Sequence, residues 1–226
     1  FDEGFHDMSI LFDDDGKVYI IYGGGQIWCI ELEKDLSAVK PETKRKIIDD
    51  AGLVPGCLAE GAHAYKLNGY YYIFIITWPS GGRRTQLCYR SKSLDGDWEM
   101  KVVLDDNLDF RNDGVAQGGI IDDADGNWHC LLFQDHGAVG RVPVLMPMTW
   151  EDDWPVVGVD GKAPKTAEIP FEGIGKKSIV TSDEFINSQI VRPYHNFAES
   201  LEEAGENDYN GSNLLPEWQG NHNPDK

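Results

Sequence analysis

The chain has 226 residues and a formal net charge of −19 at pH 7, from 20 Lys and Arg against 39 Asp and Glu. This acidic balance makes nucleic acid and anionic membrane surfaces poor partners, and no run of 18 apolar residues predicts a membrane span. Aromatic residues at 11% exclude a wholly disordered chain, while 25 glycines and 11 prolines indicate many turns.

A hairpin pattern occurs three times along the chain. Each copy has a short strand-like run, an Asp-Gly or Asn-Gly turn and an aromatic strand-like run, which together are a strong local hairpin signal. The turn glycines Gly16, Gly69 and Gly126 follow one another at intervals of 53 and 57 residues. Each copy continues with a third run, at 26–32, 85–91 and 141–148, and a fourth, at 45–48, 98–104 and 154–157.

Four strands in a unit of about 55 residues are typical of a β-propeller blade. Three similar hairpins in an ordinary all-β fold are the alternative. We predict an all-β chain in which residues 1–158 form about three blades of a propeller. The pattern ends there, and residues 183–226 carry 9 acidic against 2 basic residues, so we expect 159–226 to be a closing segment and an irregular tail.

Two carboxylates and an amide occupy the same place in the three units. Asp7, Glu60 and Gln117 each come nine residues before the turn glycine. The first strand of each propeller blade lines the central channel, so these side chains should converge there. Two carboxylic groups in an aromatic-rich cavity suit glycosidic bond cleavage, in which an acid protonates the leaving oxygen and a base activates water. An exposed strand carboxylate without a chemical role is the alternative for Glu60.

Three segments in combination resemble family 43 of the glycoside hydrolases, which are five-bladed propellers, in its β-xylosidase and α-L-arabinofuranosidase branch. His6-Asp7-Met-Ser-Ile-Leu-Phe-Asp-Asp-Asp-Gly is similar to the segment with the aspartate that orients the acid and tunes its pKa. Glu60-Gly-Ala-His63 is similar to the segment with the general acid, usually Glu-Gly-Pro-His. Gly140-Arg141 and the residues after it are similar to a stretch whose arginine contacts substrate. The resemblance covers residues 5 to about 158.

Family membership would imply an inverting, exo-acting hydrolase of xylan- or arabinoxylan-type oligosaccharides of the plant cell wall. Glu60 would be the general acid and Asp7 would modulate its pKa. In the family the general base comes from the first blade, two blades before the position of Asp7. We therefore expect a partial five-bladed propeller, a fragment that lacks two N-terminal blades and a C-terminal β-sandwich domain and that is inactive alone.

The resemblance and the blade positions also suggest substrate contacts. These are Arg141, Trp78, His63, Gln117 and His136. The alternatives are a surface ion pair for Arg141, core packing for Trp78 and a surface-loop position without a role for His136. Gln117 stands where many relatives have an axial histidine associated with calcium or water, which counts against a calcium site. The four cysteines are too widely spaced for a zinc knuckle, and we predict no metal ligand.

Two functions of other classes compete with the enzyme. A carbohydrate-binding propeller could keep the pocket without the base, and a scaffold propeller could bind protein. An aspartate at the start of a first blade would favour the enzyme. The residues predict neither xylose over arabinofuranose nor an oligomeric state or a compartment.

Overall fold

The computed structural model describes residues 4–166. Within this range the chain forms twelve β-strands and two 3₁₀ helices, Pro41–Thr43 and Gly137–Val139. No helix in this range has the length and apolar character needed to cross a membrane. The greater part of the predicted closing segment and tail, from residue 167 onward, lies outside the described residues, so the division at residue 158 stays a prediction.

The strands form three antiparallel sheets of four, each in chain order from one edge to the other. The first sheet contains β1 (Ser9–Phe12), β2 (Val18–Tyr22), β3 (Ile27–Glu31) and β4 (Arg45–Ile48). The second contains β5 (Leu58–Leu67), β6 (Tyr70–Trp78), β7 (Thr85–Ser91) and β8 (Glu99–Leu104). The third contains β9 (Ala116–Asp122), β10 (Trp128–Asp135), β11 (Arg141–Glu151) and β12 (Trp154–Val157). The prediction of an all-β chain with three four-stranded blades of a partial propeller is confirmed.

The acidic turns close the first hairpin of the outer two sheets. In the first, Gly16 has a φ of +80° and its N–H donates to the carbonyl of Asp13 at 3.0 Å. In the third, Gly126 has a φ of +81° and donates to Asp123 at the same distance. Glycine adopts this left-handed conformation without steric cost, which is why an Asp-Gly pair predicts a hairpin.

The second sheet is covered on both faces. Ile73 and Ile75 belong to the core shared with the first sheet, and Tyr72 and Phe74 to the core shared with the third. Successive side chains of a strand point to opposite faces, so a strand between two cores must be apolar throughout. This explains the unbroken apolar run of β6.

The first strands of the three sheets lie next to one another, with β1 against β5 and β5 against β9. The ladder between β5 and β6 shifts register between Glu60 and His63, and the ladder between β9 and β10 shifts between Leu132 and Phe133. Such bulges re-aim side chains at the point of the shift. The two register shifts occur at the positions of Glu60 in β5 and Gln117 in β9, which are both candidate site residues.

Candidate active site

Glu60 lies at the bulge of β5, and the residue after it contacts the neighbouring blade. Gly61 has a φ of +71°, and a β-carbon at this position would come within 2.7 Å of Nε2 of Gln117. Gln117, in β9, itself has a φ of +67°, which is unusual for a residue with a side chain. The two inner strands can therefore approach this closely because residue 61 has no side chain.

A buried amide holds Gln117 in its unusual conformation. The backbone N–H of Gln117 donates to Oε1 of Gln86 at 2.7 Å, and Gln86 is fully buried in β7. Nε2 of Gln86 donates in turn to the carbonyls of Ile75 and Leu87, at 3.1 and 3.2 Å. A buried polar side chain is stable when its donors and acceptors are satisfied. Gln86 therefore fixes the start of β9 from the second blade.

His6, Asp7 and Glu60 meet at the junction of the first two blades. Nε2 of His6 lies 3.0 Å from Oε2 of Glu60 and 3.8 Å from Oδ2 of Asp7. The exposed fractions of these side chains are 61% for His6, 31% for Asp7 and 22% for Glu60. The hydrogen bond to Glu60 raises the pKa of His6, aided by the charges of both carboxylates and opposed by desolvation.

Backbone contacts hold this group in place. The carbonyl of His6 accepts a hydrogen bond from the N–H of Gly23 at 3.0 Å, and the imidazole packs 3.6 Å from the β-carbon position of Gly24. The hydroxyl of Ser9 accepts a hydrogen bond from the N–H of Ala64 at 3.0 Å, which ties β1 to β5. Asp7 lies in the turn before β1, with a φ of +47°, and not at the start of the strand itself.

A cavity of about 510 Å³ lies mainly over β9, β10 and the start of β11, and it is not lined by His6, Asp7 or Glu60. Its lining includes His63, Gln117, Leu131, Phe133 and Arg141. Burial lowers the pKa of His63, while the charge of Asp7 acts in the opposite sense. The imidazole of His63 is therefore held towards its neutral form, in which it can both donate and accept a hydrogen bond.

Arg141 lines the cavity, and it belongs to a charged group with Asp135 and Arg84, which do not line it. The guanidinium of Arg84 pairs with Asp135 and lies 5.6 Å from the ring centroids of both Trp78 and Phe133. Arg141 lies 4.5 Å from the ring of Phe133 and 4.0 Å from Asp135. Burial and the charge of Arg141 lower the pKa of Arg84, while the nearby charge of Glu60 raises it. The predicted residues Trp78 and Arg141 are thus joined through Arg84.

His136 has a different environment from the other predicted contacts. Its ring stacks on Phe110 with centroids 4.0 Å apart, and Nε2 lies 3.0 Å from Oε1 of Gln134. Nε2 of Gln134 donates to the carbonyls of Asn107 and Asp113. His136 does not line the cavity. Its assignment as a substrate contact stays a prediction.

The prediction against a calcium site at Gln117 stays a prediction, since calcium takes six to eight oxygen ligands, backbone carbonyls among them. Among the described residues that line the cavity, Gln117 is the one whose side chain offers an oxygen. The other polar side chains there are the imidazole of His63 and the guanidinium of Arg141.

Three polar residues of this region were not predicted as functional from the sequence: His6, Arg84 and Gln86. His6 stands next to Asp7 in the segment that carries the resemblance, so its place in the chain was a usable signal. Arg84 follows a Gly-Gly turn after Trp78, where a surface role is the ordinary expectation. Gln86 lies in a strand, and only its complete burial marks it.

The family model described as glycosyl hydrolases family 43 matches residues 2–155. A putative β-xylosidase from Xylanibacter ruminicola is 32% identical over 191 residues, which are 80% of this chain and 35% of that protein. A non-reducing end α-L-arabinofuranosidase from Bacteroides ovatus is 31% identical over 177 residues, which are 73% of this chain and 33% of that protein. The chain thus spans about a third of the length of these curated relatives.

Solved structures give the same picture. A structure described as a bifunctional GH43-CE protein of Bacteroides eggerthii is 44% identical, with a TM-score of 0.69 over 82% of this chain and 24% of that one. A second, of a GH43 glycoside hydrolase engineered for both endo-xylanase and exo-arabinofuranosidase activity, is 30% identical, with a TM-score of 0.67 over 84% of this chain and 36% of that one.

Proposed function

Because the chain belongs to glycosyl hydrolase family 43, we propose that the protein containing it is an inverting glycosidase. Its substrates are xylan- or arabinoxylan-type oligosaccharides, from whose ends it removes β-xylosyl or α-L-arabinofuranosyl groups. The names of the relatives from Xylanibacter ruminicola and Bacteroides ovatus support this class of substrate.

The observation that carries the proposal is the convergence of Asp7 and Glu60 from different blades. One oxygen of each carboxylate lies within 4.8 Å of the other. The acid and base of an inverting glycosidase are about 6.5 to 9.5 Å apart, because a water molecule must fit between base and sugar. The short separation suits an acid and its orienting neighbour and not an acid and its base.

In the proposed mechanism Glu60 transfers its proton to the glycosidic oxygen as the bond from that oxygen to the anomeric carbon breaks. Asp7 lies next to the Glu60 carboxyl group and orients it. A water molecule attacks the opposite face of the sugar and loses its proton to a general base. We assign this base to a carboxylate of the full-length protein outside residues 4–166.

The cavity supplies the binding site for the sugar. Its volume of about 510 Å³ lies within the usual range of small-molecule sites. The ring of Phe133 offers an apolar face for stacking, and Arg141 and His63 offer hydrogen bonds to hydroxyl groups, whereas Trp78 does not line the cavity.

Hydrolysis by the full-length protein and its Glu60→Gln variant tests this proposal. With aryl β-xylosides and aryl α-L-arabinofuranosides of poor leaving groups, the variant should lose about 10³-fold in kcat, because general acid catalysis is worth 10² to 10⁴. A good leaving group such as 2,4-dinitrophenolate needs little protonation and should be affected much less. Glu99→Gln, on an exposed strand position paired with Arg90, is the matched control and should keep full activity.

The configuration of the first product, read by proton NMR, tests the stereochemistry. An inverted anomer is expected. A retained anomer would contradict the assignment of roles, because it would require one of the close carboxylates to act as nucleophile. Saturable sugar binding with no hydrolysis by the full-length protein would favour the carbohydrate-binding propeller instead.

A further inference from the structure

His6, Asp7 and Glu60 offer three potential metal ligands from two blades. Each has a ligand atom, and the three atoms lie within 4.8 Å of one another. Any three points this close fit inside a circle of radius about 2.8 Å, whereas zinc binds histidine nitrogen and carboxylate oxygen at 2.0 to 2.2 Å. Side-chain movements of well under 1 Å would therefore bring all three atoms to bonding distance of one cation.

We propose that His6, Asp7 and Glu60 form a binding site for a divalent transition-metal cation, with Zn²⁺ as the best-suited ion. One imidazole nitrogen and two carboxylate oxygens are a donor set that zinc accepts, and three protein ligands leave its fourth position open to water. Calcium takes six to eight oxygen ligands, which is more than two carboxylates supply, and this favours the smaller four-coordinate ion.

The charges around the group favour a cation. Two carboxylates face one imidazole, whose neutral form is the ligand, and the whole chain carries a net charge of −19. Arg84 is a positive group within electrostatic reach of Glu60, and its guanidinium is paired with Asp135. His63 also lies within electrostatic reach of Asp7, and burial holds it towards its neutral form.

Contacts within the protein already hold the three donor residues close together. His6 is fixed through its carbonyl by Gly23, and β1 is tied to β5 through Ser9, so the two halves of the donor set do not depend on the metal to meet. The imidazole is 61% exposed among the described residues, which leaves room beside it for an ion. A preorganised, accessible set of mixed donors is what metal binding requires.

The consequence for activity rests on the proposed function. A cation bound to the Glu60 carboxylate occupies the oxygen that would otherwise carry the proton for the leaving group. Bound Zn²⁺ should therefore act as a reversible inhibitor, and its removal by a chelator should restore activity.

Titration calorimetry of the full-length protein with ZnCl₂ in a non-chelating buffer tests the site without any substrate. One saturable site is expected. His6→Gln should weaken binding at least tenfold, and so should Asp7→Asn and Glu60→Gln. His129→Gln is the matched control, because it removes a histidine that also lies beside a carboxylate, Asp123, but in the third blade. Because His6 is exposed, His6→Gln is the variant least expected to disturb folding. Circular dichroism checks that each variant is folded.

Absence of saturable Zn²⁺ binding, or binding unchanged in His6→Gln, would overturn the proposal. The proposal would also be overturned if Cys57→Ser lost Zn²⁺ binding while His6→Gln kept it, because the ion would then sit on the half-buried thiol. The two proposals can fail separately. Full activity of Glu60→Gln together with Zn²⁺ binding that depends on His6 would refute the catalytic role alone. Loss of activity in Glu60→Gln together with Zn²⁺ binding that does not depend on His6 would refute the metal site alone.

Discussion

Gly61 and Gln117 touch at the point where the first strands of the second and third blades meet. A β-carbon on Gly61 would lie 2.7 to 2.9 Å from three atoms of the Gln117 side chain, and both residues have left-handed backbone conformations. This contact fixes the distance between β5 and β9 directly beside Glu60. The position of the proposed acid thus depends on a glycine and on the side chain of another blade.

Gly61→Ala should be more destabilising than its backbone conformation alone explains. A left-handed conformation costs an alanine about 1 to 2 kcal/mol, and here the new methyl group must also displace Gln117. We expect a loss of about 3 kcal/mol in the free energy of unfolding, measured in urea, and a fall in kcat. Gly69→Ala is the matched control, because Gly69 has a φ of +79° with nothing within 4 Å of its β-carbon position. Equal losses in the two variants would show that the contact does not matter.

Gln86→Leu should destabilise the start of β9. The substitution keeps the volume of the side chain but leaves the N–H of Gln117 without its acceptor in a part-buried place. A buried unsatisfied donor costs about 1 to 3 kcal/mol, and we expect a loss in that range from urea unfolding. Gln26→Leu, at an exposed glutamine whose amide donates to Asp49, should change stability by less than about 0.5 kcal/mol. A loss at Gln26 as large as that at Gln86 would argue against a special role for the buried amide.

Arg84→Met should reduce kcat/KM more than Arg83→Met. The first variant leaves the half-buried carboxylate of Asp135 with Arg141, at 4.0 Å, as its remaining partner and removes the cation between Trp78 and Phe133. The second removes an arginine whose partner, Asp105, is largely exposed, and such pairs contribute little. We expect about a tenfold fall for Arg84, equivalent to about 1.4 kcal/mol in the transition state, and less than twofold for Arg83. Steady-state kinetics on an aryl glycoside measure both, and a reversed order would exclude Arg84 from the sugar site.

His63 should make the protein less stable in acid. Its pKa in the folded protein is lowered by burial, so below its ordinary value of 6.5 the unfolded chain binds more protons than the folded one. The free energy of unfolding should therefore fall as the pH drops below 6.5. His63→Gln should flatten this dependence, as measured by urea unfolding between pH 5 and pH 8.

His6 should contribute to the free energy of unfolding with the opposite dependence on pH, which makes it a control for that experiment. Its pKa is raised by Glu60, so the stability it contributes is complete below pH 6.5 and is lost as the pH rises through the raised value. The effect should be small, because the side chain is largely exposed. A steeper acid dependence in His63→Gln than in the unchanged protein would contradict the assigned direction.

The hairpins were predictable because their turns are local. An Asp-Gly or Asn-Gly pair between strand-like runs specifies the bend without reference to the rest of the fold, and Gly16, Gly69 and Gly126 all have φ values near +80°. The regular spacing then predicted the third and fourth strands. Strand ends differ from the prediction by a few residues, as with β11, which continues to Glu151.

The candidate site was predictable only in part, because its geometry depends on the distance between blades. The equivalence of Asp7, Glu60 and Gln117 predicted that their segments lie next to one another, as β1, β5 and β9 do, but it did not show the contact of His6 with Glu60. Arg84 lies far in sequence from Asp135, its ion-pair partner, and no local pattern links them. His136 is near Arg141 in the chain, yet stacking on Phe110 gives it a different environment.

The double burial of β6 determines how substitutions are tolerated along that strand. In a sheet with one face in water, every second position accepts polar residues. In β6, Tyr72 and Phe74 face one core, and Ile73 and Ile75 face the other. Neither set of alternate positions in this strand should therefore accept polar residues. The backbone amides of this strand should also be the last to exchange their hydrogens for deuterium, because they can reach solvent only when two blade interfaces open together.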